Sequence, residues 1–144
     1  MKNLIVTADD FGAAVEVNQA VERAHQDGVL TAASLMVSGA AAADAVARAR
    51  KLPKLRVGLH LVLVDGKPVL PARLVPDLVD RDGNFRNDMA RAGAAMFFRA
   101  KVKAQLAAEI VGEMLTSRHM LVRRLREGVE FFQFLRNRED MIVS

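Results

Sequence analysis

The chain has 144 residues, 51% of them apolar, and 21 Lys and Arg against 17 Asp and Glu give a net charge of +4. That length and apolar content suit one globular domain with a sizeable core and exclude a disordered chain. There is no cysteine, tyrosine or tryptophan, which excludes disulfides and thiolate metal sites and leaves base stacking, and with it nucleic-acid binding, without support.

Leu4-Ile5-Val6-Thr7 predicts a short first strand, buried on both faces as in a parallel sheet, that runs straight into Asp9-Asp10-Phe11-Gly12. Because the chain enters this strand directly, no signal peptide is expected, and no apolar run is long enough to span a bilayer. A cytoplasmic location follows from these features. Strands of this kind present functional groups at their carboxyl ends. Two adjacent carboxylates there repel each other, and a divalent metal held by one, with the other free for proton transfer, relieves the repulsion. Capping of the next helix, or a turn at Gly12, is another use for the same pair.

Val15 to Asp27 predicts an amphipathic helix with Val17, Val21 and Ala24 on one face, closed by Gly28. Leu30 to Val37 is a second strand with Ser34 inside it, Ser38-Gly39 a turn, and Ala40 to Leu52 a second helix ended by Pro53. Arg56 to Val64 is a third strand. The strand–helix alternation predicts right-handed βαβ units and a parallel sheet, hence an α/β fold. After Asp65-Gly66-Lys67-Pro68 come an irregular stretch with Pro71 and Pro76 and a small hairpin around Asp82-Gly83. Asn87 to Phe98 predicts a short helix, broken near Arg99, and Lys101 to Arg138 a long C-terminal one. No internal repeat or linker forces a second domain.

His60 stands in Gly58-Leu59-His60-Leu61, with Leu59 and Leu61 on one strand face and His60 on the other. An imidazole in an apolar strand needs a partner or a metal. An acid pair ending strand one and a histidine near the end of strand three could meet at one rim of the sheet and supply two ligands for a divalent ion.

Taken together, Thr7-Ala8-Asp9-Asp10-Phe11-Gly12, Val17-Asn18, Ser34-Leu35-Met36, Gly58-Leu59-His60-Leu61 and Leu78 to Phe85 resemble the YdjC-like carbohydrate deacetylases, which include the chitooligosaccharide deacetylases. Phe97-Phe98-Arg99 and Gln105 to Ile110 look like the hopanoid-biosynthesis-associated branch. The resemblance implies a (β/α) barrel, here partial, whose parallel sheet carries flanking helices. It implies metal-dependent removal of acetyl groups from an N-acetylated sugar or glycolipid-like substrate, with Zn or Mg as the metal. By position, Asp10 and His60 would be metal ligands and Asp9 the general base that activates water. The family also carries a later His-x-x-His-x-His cluster, the source of a third ligand. This chain has only His25, His60 and His119, with His25 read as a surface residue and His119 in the long helix.

The expected division is therefore a deacetylase-like α/β domain with an incomplete barrel over residues 1–110 and a helical extension, unlike the family, over residues 111–144. The chain reads as partial and is expected to turn over little substrate. Val111, Met114, Leu115, Leu121 and Phe131 to Phe134 form a broad apolar band on that helix, interspersed with arginines. It predicts packing on the sheet or contact with a second copy in a homo-oligomer, in preference to a membrane-surface role. The competing reading is a non-catalytic oligomeric α/β binding or assembly module. A phosphoacceptor receiver domain fits less well, because strand three offers His60 where such a domain needs an aspartate.

Overall fold

The computed structural model describes residues 4–125. Three parallel strands, β1 (Thr7–Phe11), β2 (Ala32–Met36) and β3 (Arg56–His60), form an open sheet in the order β1-β2-β3. Helices α1 (Val15–Gln26) and α2 (Ala42–Lys51) connect them, and α3 (Met89–Phe98) and α4 (Ala100–Leu125) follow. No helix among the described residues is long and apolar enough to cross a membrane.

Alternation along the strands sorts the residues. Phe11, Ala33, Leu35 and Val57 turn to one face, where they are buried with Val21 of α1 and Ala45, Val46 and Ala49 of α2. The small residues of α2 let the helix lie close to the sheet. Leu121 of α4 joins the same core. A second core gathers Val62, Val75, Leu78, Val79 and Phe85 of the post-sheet excursion against Val102 of α4.

The first strand departs from expectation. It begins at Thr7, and Leu4 and Ile5 are 78% and 54% exposed, so it is not buried on both faces. The reason is position: among the described residues β1 is an edge strand with β2 as its one neighbour. The inward face of α1 also differs, since Ala24 is exposed and Asn18 is fully buried beside Val21. Strand β3 ends at His60 rather than Val64, because the Val62 N–H is taken by the Glu113 carboxylate.

That last contact belongs to a series. Gln105, Glu109, Glu113 and Ser117 recur every fourth residue along α4, so they share one face, and all four are buried. Gln105 Oε1 accepts from Asp77 N at 2.9 Å, and Glu109 accepts from Val69 N at 2.5 Å and Leu70 N at 3.1 Å. Glu113 accepts from Val62 N at 3.1 Å. The excursion has no strand ladder to satisfy these main-chain donors, and α4 supplies side-chain acceptors instead. The expected apolar band is divided: Leu121 packs into the sheet core, whereas Val111, Met114 and Leu115 are more than half exposed. Its part beyond Leu125, with Phe131, Phe132 and Phe134, lies outside the described residues.

Candidate active site

In a regular strand Asp9 and Asp10 would point to opposite faces. The register shows why they do not. Thr7 pairs with Ala32 and Ala8 with Ala33, but Phe11 pairs with Leu35, so three steps on β1 oppose two on β2. This is a β-bulge, and Asp10 carries it with a φ of 60°. Aspartate is among the few residues that tolerate the left-handed region. Ala8 and Phe11 therefore both face the helical core, and both acids between them turn to the opposite face.

His60 and Ser34 are on that face too. Met36 is the β2 partner of His60, and Ser34 lies one side-chain repeat back. Ser34 Oγ donates to Asp9 Oδ1 at 2.7 Å and lies 3.0 Å from His60 Nδ1. His60 Nε2 lies 3.5 Å from Asp10 Oδ1, and His60 Nδ1 3.9 Å from Asp9 Oδ1. The serine hydroxyl has one hydrogen, and an ionised carboxylate can only accept. That hydrogen goes to Asp9, so the hydroxyl accepts from His60, and Nδ1 carries the proton. In the neutral ring Nε2 then presents a lone pair toward the Asp10 carboxylate. Two acceptors facing each other call for a cation between them, either a proton on the ring or a metal.

The spacing suits a metal. Two ligands about 2.0–2.1 Å from a zinc at the tetrahedral angle are themselves ~3.4 Å apart. The proton on Nδ1, held by Ser34 and backed by Asp9, is the arrangement that orients a metal-binding imidazole. The set is one donor short. Among the described residues no group of three His, Asp or Glu side chains is placed to hold an ion. His119 is exposed on α4, and His25 is half-buried with Nδ1 2.7 Å from Leu30 O, closing the α1–β2 loop. His25 is thus a structural residue rather than the surface residue expected.

Neither acid caps α1. The residue before that helix is Ala14, with no side-chain cap. The turn after the acids is instead held from below by Asn18. Its Oδ1 accepts from Gly12 N at 2.7 Å, and its Nδ2 donates to Ala41 O at 3.0 Å and Asp44 Oδ2 at 2.9 Å. Arg48 and Asn18 hydrogen bonds hold the Asp44 carboxyl below its usual range. Gly12 has a φ of 108°, and a Cβ there would come within 2.9 Å of Met36 O. Sequence reasoning assigned no role to Ser34 or Asn18. The available signals were a hydroxyl inside an apolar strand and an amide on the buried face of a helix.

Fold and site together define the class: an α/β protein whose parallel sheet gathers two carboxylates and an imidazole at the carboxyl ends of its first and third strands. Residues 3–112 match the family described as YdjC-like protein, and the chain belongs to that family. It is 40% identical over 107 residues to a carbohydrate deacetylase of Geobacillus stearothermophilus, covering 74% of this chain and 41% of that protein. It is 44% identical over 82 residues to a chitooligosaccharide deacetylase of Serratia marcescens, covering 57% of this chain and 31% of the other. Among solved structures, a candidate cellobiose-phosphate cleavage protein of Enterococcus faecalis V583 superposes with a TM-score of 0.64 at 32% identity, covering 79% of this chain and 44% of that one. The chain thus spans less than half the length of each of these relatives.

Proposed function

We propose that this chain carries part of the active site of a metal-dependent carbohydrate deacetylase, with Asp10 and His60 as metal ligands and Asp9 as general base. The observation that carries the reading is the bulge at Asp10, which turns two adjacent acids onto the face of His60. Relatives described as carbohydrate and chitooligosaccharide deacetylases support an N-acetylated sugar as substrate. The resemblance of residues 97–110 to the hopanoid-associated branch favours a glycolipid-like version of it. The open sheet is read as the opening strands of a (β/α) barrel.

A divalent ion held by Asp10 and His60 would supply Lewis acidity, polarising the acetyl carbonyl and making water a stronger nucleophile. Asp9 is placed for the proton. Its carboxylate is 73% exposed, so water reaches it, and Ser34 fixes one of its oxygens. Asp9 takes a proton from the attacking water as its oxygen bonds to the acetyl carbon. Collapse then breaks the C–N bond, the amine leaves with a proton, and acetate is released. Among the described residues no third side chain is placed to complete the ion's ligand set.

Calorimetric titration of the chain with zinc tests the ligand assignment. Binding is expected to weaken at least tenfold in Asp10→Ala and in His60→Ala. It should persist in Asp9→Asn, while any acetate release from N-acetylglucosamine oligomers is expected to disappear. Zinc affinity unchanged in both ligand variants would remove the metal reading.

A further inference from the structure

A cavity of about 390 Å³ lies between the 77–88 excursion, α3 and the start of α4, and none of its lining residues belongs to the acid–imidazole site. Its floor is apolar, with Leu78, Ala92 and Val102 buried. Three arginines, Arg86, Arg91 and Arg99, stand around it.

The cavity's own carboxylates are already committed. Asp77 Oδ2 accepts from Lys101 Nζ at 3.0 Å and Gln105 Nε2 at 2.6 Å, and these two donors, with a smaller contribution from the charge of Arg99, hold its carboxyl below the usual range. Asp88 caps α3, its Oδ1 accepting from Arg91 N at 3.0 Å. Among the guanidinium groups, Arg86 donates through Nε to Val79 O at 3.1 Å, which fixes it to the excursion. The side chains of Arg91 and Arg99 make no hydrogen bond or salt bridge with another described residue. Arg99 is the single extended residue that separates α3 from α4, in a stretch, Phe98-Arg99-Ala100, with neither Gly nor Pro to end a helix. The break places a third guanidinium at the cavity where one continuous helix would have run on.

We propose that this cavity binds a small organic phosphate monoester, its dianion held by the guanidinium groups and its body resting on the apolar floor. Positive charge in excess of the available carboxylates favours a dianion over a single carboxylate. Planar guanidinium groups also match phosphate oxygens with paired N–H donors. The volume falls in the range of small-ligand sites, enough for one ring-sized body.

The test is calorimetry on the full chain with phenyl phosphate, inorganic phosphate and phenol as probes. Phenyl phosphate is expected to bind at millimolar or tighter affinity, inorganic phosphate several-fold more weakly, and phenol not at all. Arg91→Ala and Arg99→Ala, both at exposed positions, should each weaken phenyl phosphate about fivefold or more. Their thermal melts should match the parent, and so should their zinc titrations, which separates this proposal from the metal reading. No phenyl phosphate binding at ~10 mM would overturn the proposal, as would unchanged affinity in the double variant. Equal binding of inorganic and phenyl phosphate would reject the apolar half of the site.

Discussion

The molecule holds two pairs of carboxylates in opposite surroundings. Asp9 and Asp10 sit at a strand bulge with side chains 73% and 60% exposed, facing an imidazole. Glu109 and Glu113 are fully buried on one face of α4, and their oxygens are occupied by main-chain N–H groups of the excursion. A carboxylate whose lone pairs are filled by the protein's own backbone is a structural part. One left open to water and held by a single hydroxyl keeps its lone pairs for chemistry. The residue type is nearly the same, and the neighbours decide the role.

Removing one member of each pair breaks the comparison most sharply. Glu109→Ala leaves the part-buried Val69 and Leu70 N–H groups without their acceptor and should cost about 2–3 kcal/mol in urea unfolding. Glu109→Gln, which keeps one acceptor oxygen, should cost about half as much.

Glu113 adds a pH dependence. Burial pushes its carboxyl from 4.5 up to about 7, the Val62 N–H opposing and Glu109 adding to the rise. The fold therefore favours the protonated acid. The resulting stabilisation is complete below about pH 4.5 and is lost as the pH climbs through 7, a change on the order of 2 kcal/mol. Glu113→Gln retains an acceptor for Val62 and should flatten the profile of unfolding midpoint against pH between those limits.

Ser34→Ala removes the group that fixes the His60 tautomer. A stability loss of about 1 kcal/mol is expected, together with a mixed Nδ1–H and Nε2–H population by nitrogen NMR. A ring that stays in one tautomer would show that Ser34 does not set it. The smallest effect is expected at Asp9, where Asn in place of the exposed acid should move stability by no more than about 0.5 kcal/mol. A loss comparable to that of Glu109→Ala would erase the distinction between the two pairs.

Much of this was legible in the sequence. Periodicity and punctuation placed α1 and α2 to within two residues, and the split between α3 and α4 at Arg99 was anticipated. The acid pair and His60 stood out because charged and imidazole groups are conspicuous in apolar strands. The bulge that makes the acids neighbours left no mark, since no glycine signals it and its cause is the pairing of β1 with β2. The inward stripe of α4 was missed for a related reason. Gln105, Glu109, Glu113 and Ser117 look like a solvated face, and only the unpaired N–H groups of a distant segment explain their burial.

One consequence follows for how the excursion can vary. Helix α4 reads residues 62–77 largely through amide hydrogens, which every residue but proline owns, so those bonds do not depend on which side chain stands at Val62, Val69, Leu70 or Asp77. Proline breaks the grip at Val62, Val69, Leu70 and Asp77, and at Leu74 and Val75 it would remove the turn bonds donated to Pro71 O and Ala72 O. The chain's own Pro68, Pro71 and Pro76 stand directly beside Val69, Leu70 and Asp77 and on none of the gripped positions. Drift in this segment should therefore be wide at its exposed positions, conservative where Val62 and Val75 fill the second core, and narrow in where an imino acid can land.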